Sequence, residues 1–103
     1  MRFGLKEEVI QAINNVFINH HEVEKVLLYG SRAKGNYKPA SDIDLTLVGE
    51  AIDVSLMNKI SWELDDLLLP YTLDLSIYHH LNDPDLLDHI NRDGAIFYFK
   101  AFA

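Results

Sequence analysis

The chain has 103 residues, 49% of them apolar, which is enough for one compact core and fits a single domain spanning residues 1–103. It carries 16 acidic against 9 basic side chains, a net charge of −7, and no cysteine. Disulfides, thiolate zinc sites and a cysteine nucleophile are thereby excluded, and so acidic a surface argues against direct nucleic-acid binding. No apolar run reaches the roughly 18–20 residues of a membrane span, and the start MRFGLKEEV lacks a signal-peptide core, so a reducing cytoplasm is the expected compartment.

The first predicted element is a helix over residues 5–19. Leu5, Val9, Ile13, Val16 and Phe17 recur at helical spacing, with Lys6, Glu7, Gln11 and Asn14 off the stripe. Residues 23–29 (VEKVLLY) are short, apolar and halted by Gly30, which predicts a buried strand. Residues 30–41 (GSRAKGNYKPAS) read as a turn with one helical turn and then an exposed loop. A second strand is predicted over 42–48: Ile43, Leu45 and Leu47 alternate with Asp42, Asp44 and Thr46. Residues 53–69 predict a helix capped by Asp53 and stopped before Pro70, with Leu56, Met57, Ile60, Leu64, Leu67 and Leu68 inward. Trp62 lies off that stripe and is expected half-buried. A third strand follows over 72–78, with Leu73, Leu75 and Ile77 inward and Asp74 outward. A short helix over 84–91 is capped by Asp83, carries Pro84 at its first position and ends at Gly94. For the aromatic tail with Phe97, Tyr98, Phe99 and Phe102, two readings stand: packing against the sheet, or a contact patch for another subunit. Strands alternating with helices predict an α/β (α+β) domain with a three-stranded sheet and helices on one face.

Asp42 and Asp44 stand two apart on one strand and therefore share a face, roughly 6–7 Å apart. Asp74 lies on the polar face of another strand. A lone Asp-x-Asp on an exposed strand serves solubility more often than chemistry, yet aspartate suits strands poorly. Three carboxylates on one face repel unless cations lie between them, and an all-oxygen set favours Mg²⁺ or Mn²⁺. Gly30-Ser31 ends the first strand where backbone amides and a hydroxyl meet solvent, a suitable setting for phosphate. Arg32, Lys34 and Lys38 follow, as triphosphate partners or as plain solvated charges. The pairs His20-His21 and His79-His80 are set aside as metal ligands, because adjacent side chains diverge. The charge is uneven: six basic against four acidic residues up to Lys38, three against twelve after it.

Gly30-Ser31, ten residues, then Asp42-x-Asp44 arises by chance in such a chain at roughly one in a thousand. The segment GSRAKGNYKPASDIDL resembles the signature of the DNA polymerase β-type nucleotidyltransferase superfamily, and Asp74 in Leu73-Asp74-Leu75 matches its third acid. The size resembles the minimal nucleotidyltransferases (MNT), often the antitoxin half of HEPN–MNT toxin–antitoxin pairs. The resemblance implies a nucleotidyltransferase fold and Gly30, Ser31 and Arg32 at the nucleotide. It implies Asp42, Asp44 and Asp74 as catalytic residues and ligands of two Mg²⁺ ions, with Mn²⁺ as a substitute. It further implies transfer of AMP from ATP to a hydroxyl, on a HEPN toxin, with no acceptor-binding domain in the chain itself. That leaves the acceptor to a homo- or hetero-oligomeric partner. The competing expectations are a non-catalytic antitoxin that neutralises a ribonuclease by contact, and transfer to a small hydroxyl compound or an RNA end.

Overall fold

The computed structural model of the chain describes residues 1–101, so the expectation for Phe102 lies outside the described residues. Helix α1 (Glu7–Ile18) starts with Glu7 and Glu8 at the positive end of its dipole and buries Ile10, Ile13, Val16 and Phe17. Strand β1 (Lys25–Tyr29) leads through Gly30 into a single helical turn, α2 (Ser31–Lys34), which Gly35 closes in the left-handed conformation at φ 87°. Strand β2 (Ile43–Val48) precedes helix α3 (Val54–Asp65), whose Asp53 cap accepts a hydrogen bond from the Leu56 amide at 2.8 Å. Strand β3 (Leu73–Ile77) runs into a short 3₁₀ turn (Tyr78–His80). Helix α4 (Pro84–Asp93) then begins on the Asp83 carboxylate, and strand β4 (Ala95–Phe99) follows.

The sheet has four strands in the order β3-β2-β1-β4, not the three expected. The extra strand is the aromatic tail, which pairs antiparallel with β1. β1 and β2 are antiparallel, whereas β2 and β3 are parallel and need the long crossover that α3 provides. Val26, Leu28, Ile43, Leu45 and Leu47 leave one face of the sheet and pack against Ile13, Phe17, Ile60 and Leu64. α1 and α3 thus lie on one face as expected. α4 is the exception: His89 stands edge-on to Tyr29, which has the opposite parity to Val26 and Leu28, so this helix approaches the other face. Thr46, also of that parity, is fully buried.

Three details depart from the sequence expectation. α3 ends at Asp65 rather than at residue 69, and Leu68 takes a left-handed conformation (φ 54°) at 89% exposure. Trp62 is 68% exposed, because it lies two residues from both Ile60 and Leu64, about half a turn around the helix. In the tail, a bulge where Val26 and Leu27 face Tyr98 and Ile96 leaves Phe97 as an extra residue. Phe97 is buried against Phe3, and Tyr98 packs on Phe17 at 5.6 Å between ring centroids. Phe99 is left 59% exposed.

Candidate active site

Strand register assembles the acids. Tyr29 pairs with Asp44 across β1–β2, and Asp44 pairs with Asp74 across β2–β3. Tyr29, Asp44 and Asp74 therefore form one row over three strands, with neighbouring Cβ atoms about 5 Å apart. Asp42, two residues before Asp44, has the same parity, and the Ile43 amide bonded to the Thr72 carbonyl at 2.9 Å carries the β2–β3 register up to it. Asp42 and Asp74 are exposed, while Asp44 is partly buried between strands. Burial raises the Asp44 carboxyl above the usual carboxylate range, and the charges of Asp74 and then Asp42 raise it further. The Tyr29 phenol is raised too, first by burial and also by Asp44 and Asp74.

Gly30 closes β1 with φ 74° and ψ −156°, a conformation open essentially only to glycine. A side chain there would also collide with Asp44 Oδ2. The Gly30 carbonyl accepts from the Lys34 amide at 3.1 Å. Its own amide, at a residue that the resemblance places on the nucleotide, donates to His89 Nε2 at 3.0 Å, and His89 Nδ1 lies 3.2 Å from Asp93 Oδ2. His89 was not anticipated. The only sequence signal was the i,i+4 spacing of His89 and Asp93 on a helix, which does not reveal a backbone partner 59 residues away.

Arg32, expected at the nucleotide, is put to a different use. It is 2% exposed, and its guanidinium donates to the carbonyls of Phe3, Pro39 and Ser41 at 2.8 to 3.2 Å. The rings of Tyr37 and Tyr71 lie 5.3 and 5.1 Å from it. It clamps the loop, and its donors are engaged by backbone rather than turned toward the Asp44 face. Lys34 and Lys38 remain exposed. Of the histidine pairs, His20 is buried with Nε2 3.0 Å from both Glu63 carboxylate oxygens, which ties α1 to α3. His79 and His80 do not splay apart as expected, because the 3₁₀ turn brings their rings to 4.6 Å, edge to face.

Among the described residues, no three carboxylates or imidazoles close around a single point. The acids nonetheless fit a hard divalent cation. Asp44 sits among unneutralised negative charge, the donors are all oxygen, and Mg²⁺ characteristically takes one or two carboxylates and completes its shell with water and substrate phosphates. The row also lies on an open face. Two grooves, one lined by Glu24, Lys25 and Phe99 and the other by Asp53, Lys59 and Trp62, contain none of the three acids. Among the described residues no helix is long and apolar enough to cross a membrane.

Comparison with known proteins bears on the fold and the family. No curated protein is close enough in sequence to count as a match. One chain of a toxin–antitoxin complex solved with AMP-PNP superposes with a TM-score of 0.68 at 20% identity, over 93% of this chain and 75% of that one. A chain from the complex of tri-AMPylated Shewanella oneidensis HEPN toxin with MNT antitoxin gives 0.66 at 15% identity, over 93% and 74%. A Sulfolobus solfataricus structure gives 0.53 at 20% identity, over 91% and 79%. At these identities the likeness is one of fold. The polymerase β nucleotidyltransferase family model, however, matches residues 11–102, from within α1 past the last strand, and so takes in the Gly30 turn and all three acids; the chain belongs to that nucleotidyltransferase family.

Proposed function

We infer that the protein transfers AMP from ATP to a hydroxyl of a HEPN-type toxin, and so acts as the antitoxin of the pair, in the cytoplasm. The observation that carries this reading is the row Tyr29–Asp44–Asp74, with Asp42 in line and the glycine turn packed against Asp44. Two of the similar folds come from toxin–antitoxin complexes, one holding an AMPylated HEPN toxin and one AMP-PNP, which supports the choice of partner and donor.

In this reading Asp42 and Asp44 would hold two Mg²⁺ ions, with Mn²⁺ as a substitute, and Asp74 would complete the second site. Bound metal supplies charge neutralisation at the α-phosphate and the leaving pyrophosphate. Ser31 receives the β- and γ-phosphates through its amide and hydroxyl. The acceptor oxygen attacks the α-phosphorus while its proton passes to Asp74, which stands exposed on the edge strand where a second protein has access. The bond from the α-phosphorus to the bridging oxygen breaks, and pyrophosphate departs with the electron pair. One domain supplies the nucleotide side of this reaction, and the partner supplies the acceptor.

The test is incorporation of label from α-labelled ATP into the HEPN partner with Mg²⁺. Label should appear with the native chain and vanish with Asp42→Asn. Absence of transfer from the native chain under Mg²⁺ and Mn²⁺ alike overturns the reading. The acidic second part of the chain, with three basic against twelve acidic residues, favours one alternative: neutralisation of a basic ribonuclease by contact alone. That alternative expects the Asp42→Asn, Asp44→Asn double variant to protect cells from the toxin as well as the native chain does.

A further inference from the structure

A glycine held at φ 74° has no side chain to fix it, so the turn that faces Asp44 must be held from outside. Two contacts do this. The Gly30 carbonyl is drawn into α2 by the Lys34 amide, and the Gly30 amide is drawn toward α4 by His89 Nε2. An imidazole nitrogen that accepts a hydrogen bond carries no proton, so the proton of His89 resides on Nδ1, which faces Asp93 Oδ2. That contact also holds the Asp93 carboxyl below its usual range, as expected for an acid receiving a hydrogen bond. His89 is mostly enclosed, with 16% of its side chain exposed, and its ring stands edge-on to Tyr29 at 6.4 Å. α4 thus sets one ring at one height above the β1 end.

A trans peptide points its N–H and C=O in opposite directions. With the Gly30 carbonyl committed to Lys34, the Ser31 N–H points out of the start of α2. With the Gly30 amide committed to His89, the preceding peptide plane cannot rotate. Ser31 is then the residue of this turn whose amide is directed outward, and it carries a hydroxyl beside that amide.

We propose that His89 is a positioning residue for the anion cradle: set by Asp93 as the Nδ1–H tautomer, it withdraws the Gly30 amide and holds the turn so that Ser31 presents its amide and hydroxyl to the nucleotide phosphates. The proposal rests on the nucleotidyltransferase reading above and adds a residue to it. A glutamine at position 89 offers an acceptor oxygen in the place of Nε2, whereas leucine offers none.

The test compares the native chain with His89→Gln and His89→Leu by titration with ATP and Mg²⁺, by steady-state transfer to the HEPN partner, and by hydrogen exchange at the Gly30 amide. Loss of the lock raises Kd and KM for ATP by about tenfold in His89→Leu, the size of one lost hydrogen bond to a buried partner. His89→Gln should stay within about threefold of the native chain, and kcat at saturating ATP should change little in either variant. Gly30 exchange should be protected in the native chain and in His89→Gln, and fast in His89→Leu. Native affinity in a folded His89→Leu, or equal loss in both variants, overturns the proposal. If the native chain fails to bind ATP with Mg²⁺, the nucleotide reading falls and takes the cradle role with it. Gly30 exchange then decides the remaining structural half, whether His89 holds the turn.

Discussion

Asp44 is the carboxylate on which the conflict between stability and chemistry falls. It is partly withdrawn from water, and it has acids on either side, at Asp74 across the ladder and Asp42 along the strand, so folding favours its protonated form. The sign of the pH effect follows. Between the unfolded value near 3.8 and the raised folded value, the native state binds more protons than the unfolded chain, and stability falls as pH rises through that window. Asp44→Asn keeps the shape and removes the charge. In metal-free buffer the variant should match the native chain at acid pH, then melt at higher temperature above the window, with the gap growing and levelling off toward neutral pH. Nucleotide transfer should fall by about a hundredfold or more in the same variant. Thermal melts from pH 3.5 to 7.5 with a chelator present check this; a variant less stable than the native chain at pH 7 contradicts the assignment of Asp44 as a strained acid. Gly30 belongs to the same knot, because any side chain there would push the Asp44 carboxylate off the row.

Among the elements, those that obey one period were legible and those that break it were not. DIDLTLV and LDLSI alternate cleanly, so the two strands, their inner faces and the three acids on one outer face followed from the sequence alone. The fourth strand was hidden because its bulge turns both Phe97 and Tyr98 to the core, which removes the alternation that marks a strand. The end of α3 is masked in the sequence because Leu67, Leu68 and Leu69 prolong the apolar stripe beyond the last helical residue. At the site, Asp spacing was informative because it is local. The uses of Arg32 and His89 were not, since both side chains answer to carbonyls or amides brought near only by folding. Arg32 joins the N-terminal segment at Phe3, the loop at Pro39 and Ser41, and Tyr71 ahead of β3. A lysine keeps the charge but not the planar fork or the stacking between two rings. Arg32→Lys should therefore lower stability by about 3 kcal/mol, read as a fall in the urea midpoint. Transfer at saturating ATP should persist at a temperature where the variant is folded. A variant of native stability that had lost ATP affinity would return Arg32 to the nucleotide.

At the scale of the whole molecule, a net charge of −7 repels itself, and every cation relieves some of that repulsion. Salt alone should thus stabilise the chain modestly, and a melting shift with Mg²⁺ does not by itself reveal a site. The topology separates the two effects. β2 lies inside the sheet, between β1 and β3, and its register sets Asp44 beside Asp74, with Asp42 just ahead of the strand on the same face, whereas the other acids are scattered over loops and helix surfaces. Screening acts on all of them, but chelation needs the row. A specific ion at ten times its Kd contributes about 1.4 kcal/mol, which for a chain of this length is roughly 6–11 °C in melting temperature. Against NaCl of matched ionic strength, Mg²⁺ should raise the melting temperature of the native chain by an increment of that order. The excess over NaCl should disappear in Asp44→Asn and shrink in Asp74→Asn, while Asp88→Asn on the exposed side of α4 should keep it in full. An equal Mg²⁺ excess in the native chain and in Asp44→Asn would mean that the row holds no ion in the absence of nucleotide, and that metal arrives only with the triphosphate.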